Sequence, residues 1–121
     1  MNQAQFRFQE LEIWKRGAGI SGPLFRMADD LDEKRLHRFA GQLRGAVLSI
    51  TNNIAEGSGS ASAKDFAHYL NMARRSVFEV ANMLGLLAQQ GYWRKSGSED
   101  LLRELEEQSR MLLAFQRRLK S

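Results

Sequence analysis

The feature that most constrains this chain is the spacing of Phe66, Leu70, Ala73, Val77, Val80, Leu84, Leu87 and Gly91, which alternates steps of four and three. A strand would need apolar residues at every second position. This run instead puts one apolar stripe along one side of a long helix, the seam used by left-handed bundles. A single helix cannot bury such a stripe, so the rest of the chain must supply partners. Three further stripes do so: Ile13, Gly17, Ile20, Leu24, Met27 and Leu31; then Leu36, Phe39, Leu43, Ala46, Ile50, Asn53 and Gly57; then Leu101, Leu105, Leu112, Phe115 and Leu119. Four helices with short links and almost no strand signal predict an all-α protein, an antiparallel up-and-down four-helix bundle. A chain of 121 residues is expected to form one such domain, residues 1–121.

Punctuation in the sequence predicts the boundaries. The first helix is expected over Phe8–Leu31, bent where Gly22-Pro23 removes a backbone donor. The second runs from about Glu33 to Glu56, with Gly57 as a left-handed terminator and Asp32 or a neighbour as its N-terminal cap. That reading also absorbs the acidic cluster Asp29, Asp30, Asp32 and Glu33, which lacks the glycine and distal glutamate of a calcium loop. Ser62 and Asp65 resemble a capping box opening the third helix, which continues to about Gln90. Tyr92 and Trp93 follow, beside Arg94 and Lys95; aromatics at a helix end are expected to close the core in preference to stacking on bases. The fourth helix is expected to start at Ser98-Glu99-Asp100. Gly17-Ala18-Gly19-Ile20-Ser21-Gly22 spells a dinucleotide-binding pattern, but no strand precedes it.

Asn53 breaks the second stripe. A buried Asn needs partners for two donors and a carbonyl oxygen, and each group left unpaired costs about 1–3 kcal/mol. Gln42, Ser49 and Glu56 repeat beside it at seven-residue steps, while Ser76 and Glu79 lie alongside the third stripe. Ser49, Asn53, Glu56, Ser76 and Glu79 are therefore expected to form a structural polar core between the second and third helices. Gly41, Gly45 and Ser49 add a ridge of small residues, read as tight packing within the bundle or as a seam between copies.

Charge is uneven along the chain. Residues 34–75 carry seven basic and two acidic side chains, an excess of +5 within a net charge of +4. Two readings stay open, a solvated surface and a face that follows the phosphates of RNA or DNA. On the second, Arg38, Arg44, Lys64, Arg74 and Arg75 are the candidate nucleic-acid contacts, with Lys64, His68, Asn71 and Arg75 lining one side of the third helix. Without cysteine there is no thiolate site, and the two histidines, His37 and His68, share no local motif with a second metal ligand. No cofactor, metal or catalytic residue is expected, and the chain is read as a non-enzyme. No apolar run is long enough for a bilayer, and Met1 to Arg7 lack a secretory core, so a cytoplasmic protein without membrane contact is expected.

Gln42-Leu43-Arg44, followed by Ser49-Ile50-Thr51-Asn52-Asn53-Ile54-Ala55-Glu56-Gly57, resembles the signature Q-L-R-R-A-A-x-S-I-x-x-N-I-A-E-G of the small four-helix proteins encoded in bacterial 23S rRNA intervening sequences. The likeness continues through Ser62, Lys64, Phe66, Leu70, Ala73, Arg74, Ser76, Glu79, Leu84 and Gly91-Tyr92, and Trp14 matches an initial tryptophan. Three positions depart from the pattern: Gly45 replaces its second arginine, Arg75 replaces the glycine after the third-helix arginine, and Leu31–Leu36 lacks the usual loop proline. The resemblance implies a homo-oligomer, a pentameric barrel in related bundles. Similarity to accessory bundles of diversity-generating retroelements further implies a protein partner together with nucleic acid. It implies no catalytic activity. The competing expectation is a structural assembly or protein-interaction scaffold that binds no nucleic acid itself.

Overall fold

A computed structural model of the chain describes residues 5–120; Met1–Ala4, part of the segment read above as lacking a secretory core, and Ser121 lie outside the described residues. A single 3-10 turn, Arg7–Glu10, leads into four helices: α1 (Glu12–Glu33), α2 (His37–Ser58), α3 (Ala63–Gln89) and α4 (Lys95–Lys120). The fold is the expected all-α, antiparallel four-helix bundle. Each helix packs against the next in sequence, α1 meets α4 more thinly, and the diagonal pairs do not approach. No helix among the described residues is long and apolar enough to cross a membrane.

The apolar stripes meet on the bundle axis. Leu24 and Leu31 of α1, Leu43 and Ile54 of α2, Leu70 and Leu84 of α3, and Leu105 and Leu112 of α4 are fully enclosed. Burying one such side chain stabilises the fold by about 1.5–3 kcal/mol, so the stripes carry the bundle. Pro23 sits inside a continuous α1. Its missing donor leaves the carbonyl of Gly19 without a helical partner, but Gly19 is exposed, so water can serve it.

The first helix opens at Glu12 instead of Phe8, because residues 7–10 form the 3-10 turn, and three further boundaries differ from expectation. Gly57 does not terminate α2; it is buried inside the last turn, and the helix ends at Gly59 with ordinary right-handed geometry (φ −87°). Its hydrogen side chain is needed for packing. A Cβ there would lie 2.6 Å from Tyr69 Cβ and 2.8 Å from Phe66 Cδ1, so only glycine lets α2 and α3 meet at this point. Asp32 does not cap α2 either: Leu36 is the N-cap and receives no side-chain bond. α4 starts at Lys95, which places Ser98 inside the helix, buried, with its hydroxyl donating to the Lys95 carbonyl.

The left-handed stops lie elsewhere. Arg35 (φ 64°) and Gly91 (φ 85°) each follow a helix end. In both, two successive N–H groups bond back: Arg35 to Asp32 and Leu36 to Leu31, Gly91 to Ala88 and Tyr92 to Leu87, all near 3 Å. The Ser62 hydroxyl does cap α3, accepting from the Asp65 N–H at 3.1 Å. Lys34 bridges the two loops at one end of the bundle, donating to Asp30 at 2.9 Å and to the Tyr92 carbonyl at 2.7 Å.

Candidate nucleic-acid interface

The five candidate cations separate into distinct environments. Arg44, on the α1 side of α2, reaches back to α1 and forms ion pairs with Asp29 at 2.6 Å and Asp32 at 2.7 Å. Asp32 also bonds His37 Nδ1 at 2.8 Å. The hydrogen bonds from His37 and Arg44 hold the Asp32 carboxyl below its usual 3.8, and those that Arg44 donates to Asp29 and Asp32 hold its guanidinium above its ordinary value. The Asp32 contribution to stability is thus present at neutral pH and lost as pH falls through its lowered pKa. Arg44 is therefore ion-paired within the chain, unlike the other four candidate contacts among the described residues. The acidic cluster expected to cap α2 is what neutralises it.

Arg38 is exposed in the first turn of α2, and Lys64 is exposed in the first turn of α3, which begins at the opposite end of the bundle. Lys64, His68, Asn71 and Arg75 fall at steps of four, three and four on the outer side of α3. At about 1.5 Å rise per residue, Lys64 and Arg75 stand roughly 16 Å apart along the axis.

Arg74 and Arg75 are brought together with a residue that the stripes left out, Phe78. Arg74 Nε donates to Ser109 Oγ of α4 at 3.2 Å, and its guanidinium carbon lies 5.1 Å from the centre of the Phe78 ring. Neither arginine forms an ion pair among the described residues; Glu79, one turn after Arg75, accepts from Gln42 at 3.5 Å instead. Phe78 is 57% exposed, although a free ring of this size is normally covered. The three side chains line a surface hollow of about 290 Å³. A signal for this is present in the sequence: Phe78 follows the core residue Val77 and lies four residues after Arg74, so it falls off the buried stripe and beside the cations.

The expected polar core is only partly interior. Asn53 Nδ2 donates to the Ser49 carbonyl at 2.8 Å and to Ser49 Oγ at 3.0 Å, and Ser76 Oγ reaches Ser49 Oγ at 2.9 Å, linking α2 to α3. These three side chains are half-buried. Glu56 and Glu79 are exposed, correcting their placement in the core; both point away from the axis on the flank of their helices. The hollow beside Glu56 is lined by Arg7, Ser58, Ser60, Asp65 and Tyr69 and holds no histidine. Among the described residues no three acidic or histidine side chains converge as metal ligands.

The largest fully enclosed polar side chain among the described residues lies outside the expected polar core. Gln108 of α4 has no exposed surface; its Nε2 donates to the Ile13 carbonyl of α1 at 2.9 Å, and its Oε1 has no partner. The sequence carries a sign of it, since the fourth stripe skips from Leu105 to Leu112 and position 108 fills the gap. At the far loop, Trp93 donates its indole N–H to the Leu84 carbonyl at 3.2 Å and Tyr92 packs edge-on to Phe39, so both aromatics are engaged in closing the core.

The comparisons with known proteins agree with this architecture. The family model described as 23S rRNA-intervening sequence protein matches residues 9–114. A crystal structure of a protein of unknown function from the S23 ribosomal protein family of Bacteroides thetaiotaomicron superposes with a TM-score of 0.80 at 21% identity, covering 84% of this chain and 95% of that one. At that identity the likeness speaks for the fold. No curated protein matches the chain.

Proposed function

The chain belongs to the 23S rRNA-intervening sequence protein family, and from that premise we propose that it is a non-enzymatic, cytoplasmic bundle that binds RNA or DNA through the outer side of α3. The observation that carries this reading is the pair Arg74 and Arg75, unpaired with any carboxylate among the described residues and gathered around an exposed aromatic ring. Five other cations, Lys15, Lys34, Arg44, Arg103 and Arg110, hold acidic partners, and of the five candidate contacts only Arg44 does so among the described residues. Two adjacent guanidiniums without a carboxylate partner are suited to phosphate oxygens, and Lys64 extends the same side.

Fluorescence anisotropy with structured RNA and duplex DNA across a salt series tests the proposal. Binding should weaken as salt rises. The double substitution Arg74→Gln and Arg75→Gln should lower the log–log salt slope by about 1.5, at roughly 0.7–0.9 for each phosphate that is no longer neutralised. Arg44→Gln should leave the slope unchanged. Absence of association at low salt, or an equal fall in slope from all three positions, would refute the assignment.

A second reading, assembly of copies, is favoured by the outer side of α2. A Cβ on Gly41 or Gly45 would meet nothing within 4 Å, and Leu48 on the same side is 51% exposed, so these two glycines serve no close approach inside one chain. The homo-oligomer implied by the resemblance, and any protein partner, would use this side. Light scattering at micromolar concentration should give a particle larger than one chain, and Leu48→Glu should reduce it to one.

A further inference from the structure

We infer that the α3 site, if it is a nucleic-acid surface as proposed above, selects single-stranded nucleic acid by stacking an unpaired base on Phe78. The inference starts from where the ring sits. Phe78 does not stand on the crest of α3; it lines the seam between α3 and α4, with Leu102 and Glu106 opposite and Val77, Ala81 and Leu105 along the floor of a groove of about 270 Å³. Arg74 lies against the ring and is anchored from α4 by Ser109, which is itself buried. The crest is occupied by Arg75, exposed.

A duplex has its bases stacked on one another and offers a rigid, charged exterior. Laid on α3, it could meet Arg75 but would leave the ring in the seam uncovered and bring its phosphates towards the Glu106 carboxylate on the other wall. A single strand has free base faces and a flexible backbone. One base can enter the seam against Phe78 while the neighbouring phosphates meet Arg74 and Arg75, the combination of aromatic platform and basic track that single-strand binders use. The walls add polar groups. Ser109 contributes a hydroxyl, and Glu106 is an acceptor held by Arg110 at 2.9 Å. The apolar floor accounts for an exposed phenylalanine that no part of the chain covers.

Anisotropy with labelled oligouridine and oligodeoxythymidine of about 15 nucleotides, against duplexes of equal length, tests the inference directly. Both single strands should bind roughly tenfold more tightly than either duplex, the scale set by one stacked base. Phe78→Ala and Phe78→Leu should abolish that preference while leaving duplex affinity unchanged. Phe78→Trp should retain it, with indole fluorescence quenched on addition of the single strand. Arg75→Gln should weaken single strands and duplexes alike. Equal affinity for single strands and duplexes in the unaltered protein would overturn the inference and leave the phosphate-binding proposal standing. A preference that survives Phe78→Ala would also overturn it. No binding of any probe would remove both.

Discussion

Two polar pins hold this bundle, and they sit in opposite circumstances. On the α2–α3 seam, Asn53, Ser49 and Ser76 form a chain of hydrogen bonds in a half-buried strip, where water can reach whatever the protein leaves unsatisfied. On the α1–α4 seam, Gln108 is wholly enclosed, makes one bond to the Ile13 carbonyl and leaves its own oxygen unpaired. The first seam closes tightly around Gly57, whereas the second is the thinnest meeting of neighbouring helices. A polar residue on a helical stripe therefore has no fixed energetic sign. Its effect depends on how many of its groups find partners and on whether water can reach the rest.

The largest test of the contrast is Gly57→Ala. Its new methyl group would collide with Tyr69 and Phe66, so urea denaturation should show a loss of about 1–3 kcal/mol, the usual cost of overpacking. An unchanged midpoint would mean that α2 and α3 are free to separate there. Next comes Gln108→Met, which keeps the volume but removes both the bond and the orphaned oxygen. It should raise stability by about 1 kcal/mol, because relief of an unsatisfied buried group exceeds the net worth of one hydrogen bond. A fall in the melting temperature would show that the glutamine oxygen is satisfied in solution and that the two pins are alike. Asn53→Ala should act in the opposite direction, lowering stability by about 0.5–1.5 kcal/mol through loss of its bonds to Ser49. If it matched Gln108→Met in sign, the strip on the α2–α3 seam would not be a stabilising network.

Much of the fold is legible in the sequence. The four-and-three spacing of Phe66 to Leu87 is dictated by helix geometry, and it locates α3 and its buried side correctly. Ser62 announces the α3 cap because that bond is local, reaching only to Asp65. Gly57 is ambiguous: glycine serves equally as a helix stop and as a point of close approach, and only Tyr69 and Phe66 on the neighbouring helix decide between them. Glu56 and Glu79 each stand within one position of a buried stripe, which is why spacing alone puts them inside. On a helix one position is about 100° of rotation, enough to take a side chain out to water. Among the candidate cations, Arg44 and Arg74 look equivalent in the sequence. Asp29 and Asp32 lie fifteen and twelve residues before Arg44 in the chain, yet both lie within ion-pairing distance of it in space.

The sequence by itself determined the number of helices, their apolar sides and their approximate ends, because these follow from periodicity and from interactions a few residues long. It also carried the family signature around Asn53. The tertiary structure alone decided which charges are spent and which remain, where glycine is indispensable, and that Phe78 shares a hollow with Arg74 and Arg75. Those are properties of neighbours on different helices or of the rotation of one side chain against its surroundings, and linear spacing contains neither.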